Sequence, residues 1–337
     1  MDSLTHTVIG ACLGDAIAGK KLGKKAMLIG ALANNLPDID VITSIWTDPA
    51  AELLAHRGIT HSILFALIMT PLLVYFFKKR FQAKDLSTKK WYLLIASGLF
   101  LHIFMDACTA YGTGWFEPFN HARVSFNTLF ILDPFFAIPM IICSIALLII
   151  NKNSYPRRTW WSLSGLSISL LYLLVTFGFK LSIMRFIEKD LSSKNISYNE
   201  YMATPTAMNN LLWYSVVKSN SDFYVGYRSL LDRSGSMTWE YYTKNDSLLI
   251  PFHNSNDIQN LKQFSKGYYT VTKQDSTLIF SDMRFGQLVG WEYKQAPFVF
   301  NFNLIHTQGN ATKLQQGRFK SIQGRDLSLL IERIKGN

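Results

Sequence analysis

Charge is what this sequence has least of. Asp, Glu, Lys and Arg make up 17% of its 337 residues, against about 25% in an average soluble protein. The deficit falls before residue 186, where long apolar runs recur, so a wholly soluble first half is excluded. Cysteine is scarce as well. The three present (Cys12, Cys108, Cys143) lack disulfide, zinc-finger or redox spacing. A basic N-terminal region followed by a small-residue cleavage site is missing, since the chain opens on Met1-Asp2. Insertion is therefore expected to rely on uncleaved helices. The net charge of +11 comes with no nucleic-acid motif, so no nucleic-acid partner is expected.

The basic residues have another use. Lys20, Lys21, Lys24 and Lys25 form one short cluster, Lys78 to Lys90 a second, and Lys152, Arg157 and Arg158 a third. Short basic loops between apolar segments mark the cytoplasmic side. Spanning helices are expected at Ser62–Phe77, Trp91–Met105, Phe130–Ile150 and Trp160–Leu181. The shorter, less apolar Val8–Ala18 and Ala26–Leu36 are expected to cross as a helical hairpin packed inside the bundle rather than facing lipid. Gly10, Gly14 and Ala18 lie four apart, a stripe that lets helix backbones approach closely.

Six crossings put all three basic loops inside and deliver the tail outside. The expected fold is thus mainly α. A polytopic membrane bundle of about six helices (residues 1–185) precedes a strand-rich α+β soluble extracytoplasmic domain (residues 186–337), in a bacterial inner membrane. Strands are expected near Phe223–Leu230, Trp239–Thr243, Tyr268–Thr272, Thr277–Phe280 and Phe298–Ile305, with a short closing helix at Asp326–Ile334. Turns are expected at Lys244-Asn245-Asp246 and Lys273-Gln274-Asp275. His253 and His306 read as ordinary surface or strand histidines.

Under that topology the scattered ionisable residues of the first half share one membrane face. His6 opens the first helix, and Asp38 and Asp40 follow the second. His56 and His61 precede the third, and His102 and Asp106 close the fourth. His102 and Asp106, four apart, point from one helical face. Ionisable groups at membrane depth are costly and usually functional. Imidazole and carboxylate together suit Zn²⁺, Mn²⁺ or Fe²⁺. So many ligands exceed the needs of one ion and imply more than one, with a bridging carboxylate. His121 reads as a loop residue, and Asp133 before Pro134 as a helix N-cap. Asp15 is expected to pair with Lys20 or Lys21. Arg57, between two histidines, suits an anion.

These stretches resemble the YdjM-like family of predicted membrane-bound metal-dependent hydrolases. The resemblance is carried by Met1-Asp2-Ser3-Leu4-Thr5-His6, Leu36-Pro37-Asp38-Ile39-Asp40, His56-Arg57-Gly58-Ile59-Thr60-His61-Ser62 and His102-Ile103-Phe104-Met105-Asp106, in the family's order. It implies metal-dependent hydrolase activity. A more distant similarity, to zinc-dependent phospholipase C and related single-strand nucleases, implies a phosphoester substrate.

The function expected is cleavage of a phosphoester in a lipid or lipid-linked substrate by a metal-activated water. His6, Asp38, Asp40, His56, His61, His102 and Asp106 would be the ligands, Asp40 the general base and Arg57 the phosphate clamp. Two rivals use the same cluster: a metal or proton transporter, which would place it near the bilayer midplane, and a scaffold stapled by metal.

Overall fold

The computed structural model describes residues 1–81, 86–151, 153–233, 235–252, 255–275, 277–306, 312–317 and 324–336. Lys84, Lys152 and His253 lie outside the described residues. The chain divides into two compact units, one made of Met1–Ile42 and Ala55–Phe177, the other of Thr43–Leu54 and Gly178–Asn337.

In the first unit, α1 (Ser3–Leu22) and α2 (Lys24–Asn35) form a tight hairpin turned at Gly23, whose φ of 56° suits glycine. Asp2 caps α1 by accepting from the Thr5 N–H. The two helices touch backbone to backbone. A Cβ on Gly10 or Gly14 would collide with α2, and one on Gly30 with α1. The small-residue stripe therefore does what its spacing predicts. A 3-10 stretch (Leu36–Ile45) continues directly from α2, and a second one (Ile59–His61) precedes α4 (Ile63–Phe81). Then α5 (Thr88–Ala107) packs on α1, α2 and α4, while α6 (Pro134–Ile149) packs on α1. Asp133 caps α6 with Pro134 at its first turn, as expected, and also accepts from the Tyr172 hydroxyl.

The long α7 (Tyr155–Ser193) is by itself apolar and long enough to cross a membrane. Pro49–His61 with Ile63–Phe81, bent by 55°, would make a second such span if taken as one, and α6 is a shorter apolar helix. Ile138, Ile142, Ile145 and Leu148 on α6 and Leu163, Leu170, Leu171 and Leu174 on α7 are exposed. Apolar faces of this size need a partner other than water.

One sequence expectation is corrected here. Asp15 pairs with Arg158, not with Lys20 or Lys21. Both side chains are fully buried, and Arg158 also donates to the carbonyls of Leu147 and Ile150. A guanidinium can satisfy a buried carboxylate and two carbonyls at once, whereas the lysines keep their ammonium groups near water.

The second unit starts inside α7, where Ile183, Ile187 and Leu191 pack with Trp213, Val217 and Met237. Two antiparallel meanders follow: β1 (Glu200–Pro205), β2 (Leu212–Ser219), β3 (Asp222–Ser229) and β4 (Trp239–Tyr242), then β5 (Tyr269–Gln274), β6 (Thr277–Gln287), β7 (Phe298–His306) and β8 (Thr312–Gln316). Asn245 and Asp275 take positive φ in the expected turns. Between the meanders runs α8 (Asn256–Phe264), and α9 (Gly324–Ile334) closes the chain. The first unit's sequence lends this one a piece. The short α3 (Pro49–Ala55) puts Ala50 into the same core as Leu249, Phe252, Ile258, Phe280 and Phe302.

Candidate metal centre

Four chain segments of the first unit meet at one point, the first two acting as a pair. That pair is the start of α1 and the end of α5, which place His6, His102 and Asp106. His102 and Asp106, one turn apart, face the same way, and the His6 ring stacks on that of His102 with centroids 3.8 Å apart. Asn34 of α2 donates to the His6 carbonyl at 2.8 Å, fixing the register of the hairpin at the site.

The third segment is the 3-10 stretch after α2, which turns Asp38 and Asp40 inward. Asp40 accepts at 2.8 Å from the Arg57 N–H and at 2.8 Å from the Thr60 hydroxyl. Its other oxygen lies 2.9 Å from His56 Nδ1. The fourth segment is His56–Ser62. Arg57 sits there at φ 60°, in the left-handed region that costs a side chain such as arginine strain. The strain is held by Asp40 on its N–H and by Gly114, whose N–H donates to the Arg57 carbonyl at 2.9 Å. This turn lets His56 and His61 reach Asp40 from opposite sides, with His61 Nδ1 at 3.3 Å.

Four ligand atoms then converge. His61 Nε2 lies 3.0 Å from His102 Nε2, 3.5 Å from Asp38 Oδ1 and 3.2 Å from Asp106 Oδ2. His102 Nε2 lies 3.4 Å from Asp38 Oδ1 and 3.5 Å from Asp106 Oδ2. A tetrahedral zinc site with bonds of about 2.0–2.1 Å has ligand–ligand edges of about 3.3–3.4 Å. Five of the six edges here fall at 3.0–3.5 Å, and all four atoms lie within 4.8 Å of one another. The donor set is two imidazoles and two carboxylates, so these residues can hold a divalent ion. Asp106 Oδ2 is fully buried and faces the Arg57 guanidinium at 3.1 Å and His61 Nε2 at 3.2 Å. Among the described residues none of these contacts has hydrogen-bond geometry, which leaves its lone pairs available to an ion. Asp38, Asp40 and His56 form a second group able to hold an ion, sharing Asp38 with the first.

All seven expected ligands are thus brought together, in two tiers. His6 joins neither four- nor three-residue group; its Nε2 lies 3.0 Å from Asp106 Oδ1, where it orients that carboxylate. Arg57 is at the site but 3% exposed. Its guanidinium lies 3.1 Å from Asp106 Oδ2, donates to Thr109 Oγ1 and the Met1 carbonyl, and covers the Tyr111 ring. Those contacts engage its guanidinium with Asp106, Thr109 and Met1. His121 is exposed and lies 2.9 Å from Glu117. Sequence reasoning missed Thr60, Thr109 and Arg123, whose Nη2 donates to the His56 carbonyl at 2.9 Å. Thr60 sat inside the histidine motif and could have been read there. Nothing local marks Thr109 or Arg123.

The Bacillus subtilis (strain 168) "Uncharacterized protein YfhP" is 31% identical over 238 residues, covering 67% of this chain and 68% of that one. The Escherichia coli (strain K12) "Inner membrane protein YbcI" is 27% identical over 122 residues, 36% of this chain and 69% of its own. No solved structure matches the chain. Residues 1–183 match the family described as "YdjM inner membrane protein", and that span holds every residue of the cluster. The chain belongs to the YdjM inner membrane protein family.

Proposed function

We propose that this protein is an integral-membrane metal-dependent hydrolase that cleaves a phosphoester of a lipid or lipid-linked substrate. The observation that carries the reading is the convergence of Asp38, His61, His102 and Asp106, the last three buried and Asp38 partly so, adjoining a second potential site through Asp38. Zn²⁺ suits the first set best, with Mn²⁺ or Fe²⁺ as alternatives. A second, weaker ion at Asp38, Asp40 and His56 makes the centre binuclear.

When bound, such ions supply an acidic water and positive charge for a phosphoryl group. The residues do the rest. Asp40 contacts the Nδ1 side of both His56 and His61, and the His61 Nε2 atom faces Asp38 and Asp106. In this reading Asp40 would also act as the general base. His6 and Arg57 fix the two oxygens of Asp106.

The ligands cluster at helix ends, which favours an enzyme over a transit site at the midplane. Lys20, Lys21, Lys24, Lys25, Lys78 and Lys79 lie at the opposite ends of α1, α2 and α4. The positive-inside rule then puts the cluster and residues 186–337 on the extracytoplasmic side of six crossings.

The test is plasma emission analysis of detergent-purified protein, followed by a panel of phosphoesters and lipids. Bound transition metal with metal-dependent phosphate release is expected. Metal-free protein, or wild-type occupancy in His102→Ala, refutes the reading.

A further inference from the structure

The segment that carries Asp38 and Asp40 has a second side. In a 3-10 helix residues three apart eclipse one another. Pro37 and Asp40 therefore share one face, and both are buried. Leu36, Ile39 and Ile42 share another. Ile39 is 56% exposed and Ile42 52%. Val41, on the third face, is exposed as well. The apolar face does not start there. On α2, Leu28 and Leu32 are likewise exposed, and α2 runs into the 3-10 stretch without a break. Exposed apolar residues thus lie on either side of Leu36, Leu28 and Leu32 before it and Ile39 and Ile42 after it, while Leu36 itself is half-buried against the core of Ile29, Leu94 and Leu99. The histidine motif repeats the arrangement, since Ile59 is 61% exposed while His61 beside it is fully buried.

Depth along these two helices says what covers the exposed residues. With α-helical rise to Leu36 and 3-10 rise beyond it, Asp38 and Asp40 lie about 20–25 Å from Lys25. The hydrocarbon core of a bilayer is about 30 Å thick. If Lys25 sits at one interface, the aspartates lie within the opposite leaflet, just under its headgroups, with Ile39 and Ile42 facing hydrocarbon.

We infer that the metal centre opens sideways into the bilayer and that its substrate is a membrane lipid. The lipid's hydrocarbon chain lies along Leu32, Ile39 and Ile42, and its headgroup phosphate reaches Asp38 and Asp40 at the same level. This rests on the hydrolase reading for its chemistry but not for its geometry. A water-soluble phosphoester has no use for exposed apolar residues that share a helix with the ligands.

Two measurements test it. Ile39→Cys, Ile42→Cys and Ile59→Cys variants carry a nitroxide in full-length protein reconstituted into phosphatidylcholine–phosphatidylglycerol vesicles; native Cys12, Cys108 and Cys143 are buried. Collisions with oxygen are expected to exceed those with a water-soluble nickel chelate at all three positions. The reverse at Ile39 and Ile42 overturns the proposal. In the second measurement, Ile39→Asn with Ile42→Asn is expected to keep its metal. Its rate on a vesicle-embedded phosphatidic acid, relative to that on para-nitrophenyl phosphate, should fall about tenfold, the equivalent of losing part of one buried isoleucine. An unchanged ratio overturns the lipid route. Wild-type protein that holds metal, labels as expected and hydrolyses neither substrate would instead sink the hydrolase reading alone.

Discussion

Replacing Asp40 by Asn separates a carboxylate that orients ligands from one that binds the tightest ion. The change keeps shape and volume but removes the charge. It also turns one of two acceptor oxygens into a donor. On one side that donor would face the Arg57 N–H and the Thr60 hydroxyl, each now at 2.8 Å; on the other it would face His56 Nδ1 at 2.9 Å. Either way at least one charge-assisted hydrogen bond, worth about 1.5–3 kcal/mol, is lost or reversed. His61, 3.3 Å away through Nδ1, loses the group that sets its tautomer. Outer partners of this kind typically cost about 10–100-fold in metal affinity, or about 1.4–2.7 kcal/mol. Competition titration of zinc against a chromophoric chelator, on purified protein, reads the change directly. The first ion should still bind at saturation, and the second should be lost. Unchanged affinity for the first ion would mean that His61 needs no help from Asp40. A loss as complete as that in His102→Ala would place Asp40 in the first ion's own ligand set.

Other expectations follow from the same contacts. His61→Ala and Asp106→Ala should each lower metal occupancy measured by plasma emission, because three donors hold an ion less well than four. Arg158→Met strands the fully buried Asp15 carboxylate and should destabilise the bundle by about 3–5 kcal/mol, seen as a lower midpoint in thermal denaturation; adding Asp15→Asn should restore much of it. In the strand domain, burial pushes Asp246 up, but Tyr269 and Lys262 win and hold its carboxyl low. Its stabilising effect is therefore present above the unfolded-state pKa of about 3.9 and lost as pH falls through the lower folded value. Asp246→Asn should flatten that acid limb slightly, by well under 1 kcal/mol for so exposed a pair. An impermeant thiol reagent applied to intact cells should label a cysteine placed at the exposed turn between β2 and β3, Ser221→Cys, and spare Lys79→Cys; the opposite pattern inverts the topology.

Much of this was legible in the sequence because apolar runs and turn residues are local signals. The helices fall where the runs predicted, and β3 to β7 coincide with the aromatic, alternating segments. β1 and β2 did not announce themselves. Six consecutive residues of β2, from Leu212 to Val217, are buried on both faces, so no alternation exists to be read. The ligands could be listed from their motifs, but not their tiers. That His6 serves Asp106, and that Arg57 spends its guanidinium on the protein itself, depends on a left-handed turn that no residue type at position 57 advertises. The Asp15 partner was missed for a simpler reason. Proximity along the chain favoured Lys20, whereas Arg158 arrives from α7, 143 residues away.

The borrowed helix α3 sets an order of events during synthesis. Asp40 and His56 lie on either side of residues 43–54, and Ala50 in that segment is buried in a core whose other fully buried members run from Leu249 onward. A ribosome adding about 5–20 residues per second needs about 10–40 s to pass from one to the other. For that interval α1, α2, α4 and α5 exist, but the strap joining the two ligand-bearing segments has nothing to rest against. The segment that links Asp40 to His56 along the chain is therefore among the last to find its packing partners, although every histidine and aspartate of the cluster is made long before them.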